Sequence, residues 1–277
     1  MPCSTKFLLA FQEALADMEW QQLTTATLMQ GLGQWWWAFV RISAVFWIAP
    51  IFSDYQITVR IRIILAFLLS LMSAHLLPTM PMVDPFSLTT FLITTEQILF
   101  GLLFGLCLNA LFFVFTMTGQ ILSQQMGLSM AVISDPVNGE SDPLISELLY
   151  ILCVLLFFSL NGHLVLLDVL VESLRQWPPN HSLYALDLMK VPALFSWAMG
   201  AALVISLPTI TAMLLVNITF GVMNRSAPAF NIFSLGFPMS MMAGLIAFGL
   251  SLSAIPAHYM NFSWFVLSAL RDFGAAP

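Results

Sequence analysis

An all-α, membrane-associated protein is what this sequence predicts, and three observations carry the prediction. Of the 277 residues 60% are apolar and 8% charged, with a mean hydropathy of +0.92, whereas a soluble domain carries about 25% charged residues. Six apolar runs approach the roughly 20 residues that a membrane-length helix needs. The connections between them are rich in Pro, Gly, Asn and Ser, which end helices.

The runs follow one another along a single domain, 1–277. The first, 34–52, holds Arg41 inside "AFVRISAVFW" and closes at "APIFSDYQ"; the second, 60–78, closes at "PTMPMVDP". The third, 86–118, holds Glu96 inside "LITTEQILFG", then "GLLFG", which sets Gly101 and Gly105 four apart on one face where another helix can approach closely. The fourth, 144–171, starts after Asp142-Pro143 with Glu147 beside the positive end of the helix dipole, and closes at "RQWPPNHS". The fifth, 191–223, is interrupted by Pro208 and Gly221, and the sixth, 239–270, follows "NRSAPAFNIFSLGFP". An uncompensated charge at the bilayer centre costs at least ~3 kcal/mol. Arg41 and Glu96 therefore need water, an ion partner or protein around them, and pairing with a neighbouring subunit is the expectation; a proton or cation site at Glu96 is the alternative.

Charge and cysteine usage exclude several functions. Eight basic against 14 acidic residues give a net charge of −6, which argues against nucleic acid as a partner. Cys3, Cys107 and Cys153 are odd in number and far apart, so they read as small apolar residues. His75, His163, His181 and His258 are scattered, no metal motif occurs, and no cofactor is expected. Acidic residues interrupt the stretch after Lys6 too early for a secretory signal, so the first thirty residues are read as mature chain. Counting basic residues by side leaves orientation undecided, with Lys6, Arg175, Lys190 and Arg271 against Arg60, Arg62 and Arg225.

Between the third and fourth runs lies "QMGLSMAVISDPVNGESDP", soft and acidic in an oily chain. It could be a surface loop, a catalytic loop or a movable part of a conduit. "GLSMA" departs from the nucleophile pattern Gly-x-Ser-x-Gly at Ala131, which makes a hydrolase built on Ser129, Asp135 and His163 a weak reading. Methionine packs adaptably and glycine lets the backbone turn back, a chemistry suited to a deformable closure; Met and Ile at such spacings are equally core.

Four stretches together, "GQILSQQMGLSMAVISDP" (119–136), "LFFSLNGH" (156–163), "LPTITAMLLVNITFGVMNRSAP" (207–228) and "NIFSLGFP" (231–238), resemble the FliR/SctT family of type III export gate proteins, with wording nearer the flagellar branch. The resemblance implies a non-enzymatic gate subunit of the bacterial inner membrane and flagellar basal body. Its partners would be FliP and FliQ, with FlhB and FlhA, membrane lipid and unfolded flagellar export substrates. It also implies a FliP-like part (1–190) followed by a FliQ-like helical hairpin (191–277), and a plug loop at 126–143. By position Met126, Gly127, Leu128, Ser129, Met130, Ile133, Asp135 and Pro136 would form the plug, although relatives often carry Phe at the places of Met130 and Ile133, and Gln at that of Ala229. Asn161, His163, Asn217, Asn224 and Arg225, within the shared stretches, join Arg41 and Glu96 as assembly or packing groups. The competing functions are a small-solute secondary transporter or ion channel subunit, the hydrolase, and a scaffold without a passage.

Overall fold

The computed structural model describes residues 25–53, 57–74, 87–128, 132–134, 141–179, 189–226 and 232–272. Its helices are α1 (Thr25–Ile48), the single turn α2 (Pro50–Ser53), α3 (Val59–Ala74), α4 (Leu88–Gln125), α5 (Leu144–Ser159), α6 (Gly162–Gln176), α7 (Lys190–Ser226), α8 (Ile232–Ser251) and α9 (Ile255–Asp272). A 3₁₀ turn, Leu252–Ala254, joins the last two. The expected all-α architecture holds, with one addition: strands β1 (Val132–Ser134) and β2 (Ser141–Pro143) pair antiparallel just before α5.

Helix α4 is the wall that the other elements share. It begins with Ser87 as N-cap, whose hydroxyl accepts from the Thr90 N–H at 3.2 Å, and runs for 38 residues, roughly 57 Å at 1.5 Å per residue. Helices α1, α5 and α7 pack along different faces of it, α3 lies on α1, and α8 lies on α7. Within its most apolar window 67% of α4 is buried, against 33% for α7 and 17% for the rod formed by α8 and α9. The core is therefore centred on α4, while the C-terminal rods offer bare apolar faces such as Leu214, Leu215, Leu245 and Ile246 to their surroundings.

Small residues set the distances in this packing. A Cβ added to Gly101 would lie 2.5 Å from both the Arg41 carbonyl and Ala44 Cβ, and one added to Gly105 3.0 Å from Ile48 Cβ, so α1 and α4 touch backbone to backbone. At the far end of α4, a Cβ on Gly119 would overlap the Ser146 backbone in the first turn of α5.

Six apolar runs do not become six spans. Among the described residues three helices are long and apolar enough to cross a membrane: Leu88–Gln125, Lys190–Met223 and Pro238–Leu270. The described part of run 60–78 lies in α3, of 16 residues, and among the described residues α1 contributes the shorter apolar stretch Trp35–Ile48. Run 144–171 is not one helix. Asn161 adopts a left-handed conformation (φ 56°), which Asn tolerates through its short polar side chain, and α6 leaves α5 at 70°.

That bend carries the end of α6 to Arg41. The guanidinium is fully buried and all five of its N–H donors are used. Nε and Nη2 donate to Gln97 Oε1 at 2.9 and 2.6 Å, Nη1 to the Ser173 carbonyl at 2.8 Å and its Oγ at 3.3 Å, and Nη2 to the Trp177 carbonyl at 2.8 Å. The two carbonyls stand at the C-terminus of α6, where unpaired carbonyls and the negative end of the helix dipole favour a cation. Phe100 lies 4.8 Å under the guanidinium carbon and stacks against Trp177 at 6.0 Å, adding cation–π attraction. Within this chain Arg41 is a buried polar group whose partners, Gln97, Ser173 and Trp177, are neutral. Glu96 takes no part and is half-exposed on another face of α4.

Replacing Arg41 by Ala removes all five guanidinium donors from this knot, at roughly 1–3 kcal/mol for each buried acceptor left unsatisfied. We expect Arg41→Ala to reduce the detergent-extractable folded protein sharply. Arg175→Ala, which breaks an exposed 3.8 Å pair with Glu172, should leave it unchanged, since such pairs contribute about 0–1 kcal/mol; quantitative blotting of membrane extracts checks both.

Candidate functional site

The segment between α4 and α5 leaves and re-enters the core at neighbouring points. At its root Met126 caps α4, its N–H donating to the Leu122 carbonyl at 3.0 Å, and Gly127 follows with φ 71°. A left-handed glycine just past the last turn is the common way to stop a helix and redirect the chain. Met126 is 1% exposed, and its side chain and that of Met213 of α7 both lie against Gly244 of α8. Leu128 is half-buried against the same core.

The return leg is fixed from the α5 side. Gly119 lets the start of α5 lie on α4, and Ser146 Oγ donates to the Thr116 carbonyl at 2.9 Å. Just before it, β2 pairs with β1 in the register Val132↔Pro143, Ile133↔Asp142 and Ser134↔Ser141. The ladder ties the two legs of the segment together at Val132–Ser134 and Ser141–Pro143.

The candidate plug residues are therefore divided. Met126, Gly127 and Leu128 form the root, and Ile133 contributes backbone to the ladder. Ser129, Met130, Asp135 and Pro136 lie outside the described residues, so the weak hydrolase reading on Ser129 and Asp135 receives no geometry. His163 is on α6, its ring tilted against Phe158 at 5.5 Å between centroids, with Nδ1 buried and without a hydrogen-bond partner among the described residues. Asn161 forms the α5–α6 corner, and Asn217 and Arg225 are exposed on α7, Arg225 in its last turn. Asn224 lies on the α7 backbone between them. Among the described residues no group of three His, Cys, Asp or Glu side chains could hold a metal ion. What the described part of the arrangement can do is mechanical: it holds Met126 in the core and pairs Val132–Ser134 with Ser141–Pro143.

Sequence reasoning missed Gln97, Ser173, Trp177, Met213, Gly244 and Gly119. For Gln97 a signal existed, since Gln97, Gly101 and Gly105 recur every four residues and so share one face of α4, the face on α1. Met213 and Gly244 come from other helices, and nothing local announces their meeting with Met126.

Comparison with known proteins gives a consistent match. The sequence pattern of "Bacterial export proteins, family 1" fits residues 32–264. The flagellar biosynthetic protein FliR of Pectobacterium carotovorum subsp. carotovorum is 34% identical over 235 residues, covering 83% of this chain and 88% of that protein. FliR of Escherichia coli K12 is 32% identical over 228 residues, covering 81% and 86%. FliR of Bacillus subtilis 168 is 25% identical over 241 residues, covering 84% and 92%.

The glycines of this region should differ in a fixed order when changed to Ala. Gly119→Ala drives a methyl into the α5 backbone and should be the most damaging. Gly127→Ala should cost about 1 kcal/mol for its left-handed conformation. Gly200→Ala, where a Cβ meets nothing, should stabilise by about 0.5–1 kcal/mol through helix propensity. Thermal unfolding midpoints of the detergent-purified protein check the ranking.

Proposed function

We propose, because this chain belongs to the family 1 bacterial export proteins, that it is a core subunit of the flagellar protein export gate. Its place in flagellar protein export and in a membrane follows from that membership and from its apolar helices. The finer reading is that it joins FliP and FliQ, with FlhB and FlhA nearby, to form a closed entrance in the inner membrane through which unfolded flagellar subunits pass. In this reading 126–143 is the plug, 1–190 the FliP-like part and 191–277 the FliQ-like hairpin. The plug lies in the passage and excludes water and ions by apolar contact, and export substrates displace it.

The observation that carries the reading is the segment's root: a buried Met126, a left-handed Gly127 and a two-stranded base hold both ends of one short excursion. An ordinary surface loop has no need to be seated at both ends in the core. The length of α4 and the bare faces of the C-terminal rods support the rest. At roughly 57 Å, α4 outruns a hydrocarbon core of about 30 Å, and apolar faces as extensive as those on α7, α8 and α9 need lipid or other subunits to cover them. The small-solute transporter is the weaker reading. Such proteins pair broken helices in two similar halves, and among the described residues α5–α6 is the one broken pair of this kind.

Removing Ser129–Asn138 from the chromosomal copy tests the proposal. We expect small solutes to leak across the inner membrane in cells whose complex still assembles. An intact barrier around an assembled complex would make the segment an ordinary loop and return attention to transport.

A further inference from the structure

We infer that the C-terminal hairpin is the latch of this segment, with Met213 and Gly244 as the positioning residues that hold Met126, and that their contact opens during export. The inference rests on the sealing role proposed above and names the part of the chain that controls it.

Gly244 leaves a notch one methyl deep. A Cβ there would lie 2.6 Å from Met126 Cγ, 3.2 Å from Met126 Sδ and 2.9 Å from Met213 Sδ, so Met126 occupies the space that any larger residue would fill. Both methionines are 1% exposed. The residue just before the left-handed Gly127 is thus gripped by two helices whose next residues, Leu214, Leu215, Leu245 and Ile246, face outward. Movement of the hairpin by whatever covers those faces is transmitted directly to the root of the segment.

Two features suit this contact to opening better than to permanent packing. Thioethers contribute polarizable, adaptable contact without directional bonds, so they separate and repack readily. One turn before Met126 on α4 and one turn before Met213 on α7, Ser123 Oγ and Thr209 Oγ1 are buried without a hydrogen-bond partner among the described residues. Buried hydroxyls left unpaired weaken the seam they lie in, because separation lets water reach them. Gly127 supplies the backbone freedom for the swing.

The test is a reversible cross-link, Met126→Cys with Gly244→Cys, in cells that assemble the complete complex, with each single variant as control. The side chains are close enough for a disulfide, whose Cβ atoms sit about 3.8 Å apart. Oxidation is expected to reduce secretion of flagellar subunits to the level of cells lacking the protein, and reductant to restore it. Solute leakage should stay at the closed level throughout. Full secretion from the cross-linked complex, or absence of the cross-link in assembled complexes, overturns the inference. Should the double variant fail to assemble, Met213→Ala serves instead: it opens space beside Met126 and should raise solute leakage, and an unchanged barrier overturns the latch. Leakage on removing Ser129–Asn138 together with secretion through a cross-linked complex means that the seal stands and the latch is wrong. No leakage on that removal means that the sealing role itself is wrong.

Discussion

A guanidinium buried without a carboxylate is the constraint on which this structure depends. Arg41 cannot reach water, so each of its five donors must find an acceptor in protein, and the fold supplies them from two other helices. Gln97 comes from α4, while Ser173 and Trp177 come from the end of α6. This requirement explains features that look unrelated. Gly101 must be Gly so that α1 and α4 close on each other beside Arg41. The chain must break at Asn161 so that α6 turns back, and it must stop at Trp177-Pro178-Pro179 so that terminal carbonyls remain free for the charge.

Once α1 and α6 are tied to it, α4 is free to act as a fixed wall along its remaining length. Its second half carries α5 on one face and α7 on another, with Gly119 and Thr118 as the close contacts; Thr118 Oγ1 also reaches the Ala202 carbonyl at 3.4 Å. The wall ends where the soft segment begins. The rigid frame thus ends at the root of the segment proposed above as the plug. The same logic separates the two ends of the molecule. Hydrogen bonds to a cation fix the Arg41 end, and thioether contacts hold the Met126 end.

Much of the fold was legible in the sequence, since long apolar runs must become helices in a chain with so few charges. The number of spans was not. In run 144–171 apolar residues continue through the turn, and the Asn161-Gly162 signal was outweighed by the length of the run. At Arg41 the need for compensation was legible, yet the identity of its partner Gln97 was not, because helix phase and not charge decides which residue faces α1. The ladder of β1 and β2 was missed because three-residue strands have no pattern of their own; the geometry that sets Pro143 opposite Val132 creates them. Met213 and Gly244 were invisible for a similar reason, as their role exists only in the packed structure.

The most direct test of this account is an experimental map of the assembled complex at a resolution that fixes side chains. The account predicts Arg41 bonded to Gln97, Ser173 and Trp177 of its own chain, with Met126 seated in front of Gly244. An Arg41 turned outward to a carboxylate of another subunit would contradict it, since the tie between α1, α4 and α6 would then belong to the assembly and not to the chain.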